Sequence, residues 1–160
     1  MTPVRLAILP LLAALAAAWA PPPRAAAEES SAPAHRIVEE RWPDGTLRER
    51  KQVLLLSGGI TVDDGPFERW YIDGTQEYEA VFVRGNKEGT TVRYHRNGRV
   101  ASREEYRDGK RNGLSVSWND KGRKVKEESW ADGRPHGTWT VWEDGKVSWT
   151  HTFVHGDPDP

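Results

Sequence analysis

The histidines of this chain are one residue type that could support chemistry, because imidazole is a common metal ligand. His151, His155 and Asp157 lie close together in the sequence. On a strand, side chains four positions apart are separated by roughly 13 Å, at ~3.3 Å per residue, so these two histidines would not bind one ion together. His95 and His136 lie in other parts of the chain. We therefore expect solvated histidines, no metal site and no cofactor.

Pairs of neighbouring carboxylates are the second feature that could support chemistry, since glycosidases use two carboxyl groups ~5–9 Å apart in a cleft. The pairs are Asp63-Asp64, Glu104-Glu105 and Glu127-Glu128. Arginine or lysine directly precedes the last two pairs, which favours cross-strand ion pairs on a solvated face. The chain has no cysteine and no G-x-S-x-G, P-loop or G-x-G-x-x-G motif. We predict that the protein is not an enzyme.

Three aromatic residues could bind a ligand: Phe67, Tyr71 and Trp139. They alternate out of phase with the regular aromatic positions described below, which predicts that they project from the opposite face of a sheet. Trp and Tyr on an exposed face often anchor protein or carbohydrate ligands. Alternatively, the terminal units bend this face under a cap, for which the apolar residues 53–56 are a candidate.

The composition indicates which elements position these residues. A length of 160 residues suits one domain, on the usual ~100–200 residues per domain. With 15 glycines, 8 tryptophans and 36% hydrophobic residues, a strand-and-turn protein is favoured over a helical bundle. The net charge of −1 lacks the basic excess typical of nucleic-acid binding, so no nucleic-acid partner is expected.

Glycines recur with a period of 24 residues, and this repeat is the strongest pattern in the chain. Twelve of the 15 glycines belong to it. The leading glycines are Gly65, Gly89, Gly113 and Gly137; the second series is Gly74, Gly98, Gly122 and Gly145; the third is Gly85, Gly109, Gly133 and Gly156.

Aromatic residues follow the same period in two columns. The columns are Trp70, Tyr94, Trp118 and Trp142, and Phe82, Tyr106, Trp130 and Phe153. Because the segments between glycines suit strands and are too short for stable helices, each unit is predicted to be a β-hairpin. The expected fold is all-β: tandem hairpin repeats that form an elongated, twisted single sheet or solenoid.

Hairpin turns are predicted at dipeptides that tolerate positive φ. The tips are Asp73-Gly74, Asn97-Gly98, Lys121-Gly122 and Asp144-Gly145, and the connections to the next unit include Asp108-Gly109 and Asp132-Gly133. Alternation along the strands predicts one packed face and one solvated face. The packed face would carry Val92, Tyr94, Val116, Trp118 and both aromatic columns, and the solvated face Arg93, Ser115 and Ser117.

The two ends of the array are expected to differ from its centre. Residues 37–64 are predicted to be an atypical capping unit with an insertion, which matches the repeat only through Trp42 and Gly45. Its apolar run at 53–56 could cover the first regular hairpin. Residues 65–156 hold the four regular units, and the proline-containing tail at 157–160 ends the array because proline cannot donate ladder hydrogen bonds.

The first 27 residues have the features of a secretory signal, with a basic start, a short apolar run and a small-residue cleavage site. Cleavage is expected after Ala27; cleavage after Ala20 and retention as an anchor are the alternatives. Residues 28–36 then form a flexible lead-in, and the mature chain would carry 21 basic and 24 acidic residues, a net charge of −3. Since no lipoprotein cysteine is present, a periplasmic or secreted protein is predicted.

Two consecutive units carry a recognisable pattern: GTTVRYHRNGRVASREEYRDGKRN from Gly89 and GLSVSWNDKGRKVKEESWADGRPH from Gly113. Each has a leading glycine, an aromatic residue five positions later, an x-x-N/D-G turn, a return strand with glutamate and a final aromatic-x-D/N-G. The chain thereby resembles the MORN repeat, in the bacterial variant of antitoxin-like repeat proteins. The resemblance implies an interaction scaffold. Eukaryotic members imply phosphoinositide or membrane contact through basic clusters, which this chain lacks.

The function predicted from the sequence is that of a non-enzymatic, exported scaffold that binds another protein in the cell envelope. The alternative is an envelope-associated module that binds glycan or lipid through the exposed aromatic residues. A cytoplasmic antitoxin role would conflict with the export signal.

Overall fold

A computed structural model describes residues 34–158 of the chain. They form a single open antiparallel sheet of 12 strands in hairpin order, not closed into a barrel, as the sequence predicts. The predicted signal at 1–27, most of the lead-in and the last two residues lie outside the described part. In residues 34–158, no helix is long and apolar enough to cross a membrane.

Consecutive strands pair with each other along the whole array. The strands are β1 (His35–Arg41), β2 (Leu47–Leu55), β3 (Thr61–Trp70), β4 (Gln76–Val83), β5 (Asn86–Tyr94), β6 (Val100–Arg107), β7 (Lys110–Trp118), β8 (Lys124–Ala131), β9 (Arg134–Pro135), β10 (Gly137–Glu143), β11 (Lys146–Val154) and β12 (Asp157–Pro158). The short β9 pairs only with β8, after which β10 continues beside β8. One 3-10 turn, Ser57–Gly59, separates β2 from β3.

Turns of two kinds connect the strands. Between hairpins, both residues of Asp108-Gly109 and Asp132-Gly133 have positive φ, as a two-residue type I′ turn requires. At every tip but the last, only the glycine has positive φ: Gly98 has φ 77° while the Asn97 side chain accepts a hydrogen bond from the Arg99 N–H at 3.1 Å. The turns predicted at Asp73-Gly74, Asn97-Gly98 and Lys121-Gly122 are present, but the first residue of each dipeptide does not have positive φ, because these tips are longer turns that end in a bulge. The last tip, Asp144-Gly145, is one residue shorter, and both its residues have positive φ.

Each leading glycine lies directly opposite an aromatic residue of the return strand. The pairs are Gly65 with Phe82, Gly89 with Tyr106, Gly113 with Trp130 and Gly137 with Phe153. At Gly113, φ is 117°, and an added Cβ would overlap the carboxylate of Glu105. The spacing of glycine and aromatic residue in the sequence thus reflects a cross-strand pairing repeated in each of the four regular hairpins.

The sheet has two faces, which we name after a buried residue on each. Direct cross-strand partners share a face. The Val92 face carries the row Glu68, Glu79, Val92 and Arg103, one residue from each of β3 to β6. The Phe67 face carries Phe67 and Ala80, and further along it the row Thr91, Glu104, Ser115 and Glu128.

The two aromatic columns lie on opposite faces, which corrects the prediction of a single packed face. Tyr94 follows Val92 on the Val92 face, whereas Tyr106 lies on the Phe67 face, opposite Gly89. The cause is a bulge in the return strand beside each tip. Arg93 pairs with Ser102, but the next residue, Tyr94, pairs with Val100, so one residue of the return strand is skipped. The prediction took every second residue of the return strand to lie on one face and did not allow for this bulge. It therefore assigned the aromatic residues of the return strand to the wrong face.

The expected solvated face is also partly buried. Ser115 is only 4% exposed and Thr91 2%, although both are polar. Glu128 is 6% exposed and its carboxylate accepts from the Lys126 ammonium at 2.7 Å. The apolar core is shared between the faces: Val53, Leu54, Phe67, Tyr78, Ala80, Val92 and Val116 are buried.

Both ends of the described sheet are more regular than the sequence indicates. Trp42 begins a tip turn with the hydrogen bonds of the later tips, since its carbonyl accepts from the Gly45 N–H at 2.9 Å. The apolar residues 53–56 do not cover the first regular hairpin, because Val53 and Leu54 belong to β2 and pair with β3. At the other end, β12 pairs with the last two residues of β11.

Candidate protein-binding surface

A groove of about 590 Å³ crosses the Val92 face from β3 to β6. Two parallel rows of side chains line most of it, and Phe67 and Ala80 also contribute to the lining. The first row is Glu68, Glu79, Val92 and Arg103, and the second contains Pro66, Val81, Thr90 and Glu105. Each side chain is placed by its strand register, so the groove is a product of the repeat.

Carboxylates dominate the charge of this groove. Glu68 and Glu79 are direct cross-strand partners, an arrangement of like charges that destabilises a sheet. Glu79 accepts a hydrogen bond from the Tyr94 hydroxyl at 2.6 Å. Burial, together with the hydrogen bond to the Glu79 carboxylate, raises the pKa of Tyr94 to about 12. Within residues 34–158, Glu68, Glu79 and Glu105 form no salt bridge, so their charge is open to a partner.

A second hollow of about 480 Å³ lies on the same face, at the tips of the next hairpins. Arg99, Val100, Arg103 and Trp118 line it. Since Arg103 lines both hollows, the two form one continuous surface. This surface is acidic over β3 and β4 and basic at the β5–β6 tip.

On the Phe67 face, cations of the chain itself cover the aromatic rings. The Lys87 ammonium lies 5.5 Å from the ring centre of Tyr78 and 4.8 Å from that of Tyr106. The Arg111 guanidinium lies 4.8 Å from the Trp130 ring centre. Such cation–π contacts stabilise the sheet and occupy the ring faces that a ligand would use.

The three predicted binding residues are not brought together. Phe67 lies in β3, Tyr71 at the tip that follows it and Trp139 in β10. Phe67 is only 7% exposed, which contradicts its predicted exposure, because it packs against Tyr78 and Phe82 at centroid distances of 5.8 and 5.6 Å.

Trp139 is half-buried between two other aromatic rings. Its ring centre lies 5.0 Å from that of Trp130 and 4.7 Å from that of Phe153. Its indole N–H donates to the Ser129 carbonyl at 2.9 Å. Trp139 therefore joins the second aromatic column and has a structural role that its sequence position did not indicate.

Tyr71 belongs to a series of hydrogen bonds that join neighbouring tips. Its hydroxyl donates to the Tyr94 carbonyl at 2.9 Å. Trp42 Nε1 donates to the Trp70 carbonyl at 3.3 Å, and the His95 ring nitrogen donates to the Trp118 carbonyl at 2.9 Å. The first residue of each of these tips thus binds the next hairpin, and His95 is not simply solvated.

The remaining histidines and carboxylates form local contacts. His35 lies 2.6 Å from Asp64, and the pKa of Asp64 is lowered by this hydrogen bond and by one from the Arg84 N–H. His136 stacks on His155, with ring centres 5.3 Å apart. In the part of the chain that the structure describes, no three His, Asp or Glu side chains are placed to hold a metal ion.

Of the residues that line the groove, only Phe67 was predicted from the sequence to bind a ligand; the others were missed, above all Val81 and Arg103. Nothing in their types distinguishes them from other strand residues. The strand register could have identified this surface, because pairing Glu68 with Glu79 places two like charges without a salt-bridge partner on one face.

Comparison with models of known protein families finds no match, and a search of curated proteins also finds no similar sequence.

Proposed function

We propose that this protein is a non-enzymatic, exported repeat scaffold that binds another protein on the Val92 face. The observation that supports it is the groove across β3 to β6, where apolar and charged side chains lie side by side on an open sheet. Protein interfaces likewise combine apolar side chains with polar and charged ones.

The charges of the groove favour a particular kind of partner. An extended segment would present basic side chains to Glu68, Glu79 and Glu105 and acidic side chains to Arg99 and Arg103. Complementary potentials of this kind set orientation and partner choice more than raw affinity. Export to the periplasm or medium and membership of the MORN-like repeat proteins are parts of the same proposal, supported by the N-terminal sequence and by the hairpin period.

The proposal is tested by comparing two lysine variants in affinity capture from the cell envelope fraction. Val81→Lys places a long cationic side chain in the groove, at a residue that is 44% exposed. Leu114→Lys is the matched control, because Leu114 is 42% exposed on the same face but does not line the groove.

We expect the wild type and Leu114→Lys to recover the same envelope protein and Val81→Lys to recover at least tenfold less of it. Equal recovery by all three chains would contradict the proposed surface. Recovery of the wild type from the cytoplasm alone, with its N-terminal residues intact, would contradict export.

The glycan- or lipid-binding alternative stays a prediction. No structural observation favours it, since Phe67 is buried and Tyr71 and Trp139 hydrogen-bond to neighbouring hairpins or strands.

A further inference from the structure

The outer edge of β11 is a free strand edge. Within residues 34–158, β12 pairs only with Phe153 and Val154, which leaves residues 146–152 without a neighbour on that side. Val154 and Asp157 flank a two-residue turn, and such flanking residues hydrogen-bond to each other through their main chains. Because this orientation recurs at every second residue, Thr152 and Thr150 point their N–H and C=O groups to the free edge.

The two edges of the sheet differ in how they are protected against pairing. β1 carries four fully charged side chains among its seven residues, and charge on an edge strand discourages pairing. β11 carries one, Lys146, among nine. Beside the free edge, Trp149 is 45% exposed and Val147 59%. The β11 edge thus has the composition of a strand that pairs.

The pairing of β10 with β11 indicates which strand would fit the free edge. β10 places Thr140 opposite Thr150 and Trp139 opposite His151. A second copy of β11, antiparallel about a two-fold axis at Thr150, would place Thr150 opposite its own counterpart. It would also place Trp149 opposite His151 on each side of the axis. The free edge of β11 would therefore face the same residue types in a second β11 as the other edge faces in β10, with threonine opposite Thr150 and tryptophan opposite His151.

We propose that two copies of this protein associate through antiparallel pairing of their β11 strands, which joins the two sheets into one. This edge is separate from the groove on β3 to β6, so the dimer does not depend on the proposed function. The contact is short, and we expect a dimer that dissociates on dilution in the micromolar range.

The test measures the mass of the protein, purified as its cell processes it, by sedimentation at a series of concentrations. Trp149→Lys puts two cations next to the two-fold axis. Ile37→Lys is the matched control on the opposite edge, where Ile37 is 55% exposed in β1. We expect dimers for the wild type and Ile37→Lys and a monomer for Trp149→Lys.

A single introduced cysteine gives a second readout, because the natural chain has none. Thr150→Cys should form an intermolecular disulfide in mild oxidant, whereas Ile37→Cys should not. This readout decides the matter if Trp149→Lys fails to fold. A wild type that stays monomeric at high concentration, a dimer unaffected by Trp149→Lys, or equal cross-linking by both cysteine variants would overturn the proposal.

Discussion

At the scale of single residues, aromatic side chains hold neighbouring strands and hairpins together. The second aromatic column lies opposite the leading glycines, and Trp139 packs between Trp130 and Phe153. Tyr71 and His95 instead hydrogen-bond to the next hairpin's main chain. These contacts explain why aromatic residues recur with the glycines.

Replacement of Trp139 by alanine should weaken the fold. We expect the free energy of unfolding to fall by about 2–3 kcal/mol, since removal of a fully buried large aromatic costs ~3–5 kcal/mol and Trp139 is half-buried. Trp149→Ala is the control, because Trp149 is 45% exposed, and should cost less than about 1 kcal/mol. Urea unfolding at one low protein concentration measures both. Equal losses would contradict the packing role of Trp139.

The Tyr94 hydroxyl should make stability depend on alkaline pH. Its pKa is raised to about 12 in the folded protein by burial and by Glu79, against an ordinary value of about 10. A raised pKa stabilises the fold below the ordinary value, and this contribution disappears as pH rises through the folded value. The stability difference between wild type and Tyr94→Phe should therefore be constant below pH ~10 and shrink towards pH ~12. A difference that does not change with pH would refute the effect.

At the scale of elements, two bulges determine the geometry of each regular hairpin. One lies at the leading glycine and the other beside the tip. The glycine and aromatic periods predict the hairpins, their order and the connecting turns such as Asp108-Gly109 correctly. They do not predict the faces, since the bulge between Arg93 and Tyr94 reverses the alternation of the return strand. The groove at Val81 and Arg103 depends on those faces and could not be found without the register.

Leading and tip glycines should differ in their tolerance of alanine. Both Gly113 and Gly122 have positive φ, but only at Gly113 would a Cβ overlap the Glu105 side chain. We expect Gly122→Ala to cost about 1 kcal/mol and Gly113→Ala about 1–3 kcal/mol more. Thermal or urea unfolding measures both, and part of the Gly113→Ala loss should be recovered in a Glu105→Ala background. Equal costs for the two alanine variants would argue against the close approach.

At the scale of the whole molecule, stability should decrease towards the C-terminal hairpin. All buried residues of the described chain lie between Val53 and Glu128, and β10 and β11 contain none. In a repeat array each unit is stabilised by its neighbours, so the end with least burial opens first. Hydrogen exchange of the diluted protein should be fastest in β11 and slowest in β4 to β7. Uniform exchange across the sheet would contradict this gradient.

The groove lies at one position on the sheet, across β3 to β6, and the proposed function requires the partner to bind at that position. A single cysteine at Val81, joined to a short thiol-reactive cross-linker in intact cells, reports directly on what contacts the groove, because the natural chain contains no cysteine. A cysteine at Leu114 is the control on the same face outside the groove. We expect one defined protein adduct from position 81 and none from position 114. Adducts at neither position, or the same adducts at both, would contradict binding of a protein partner on the Val92 face.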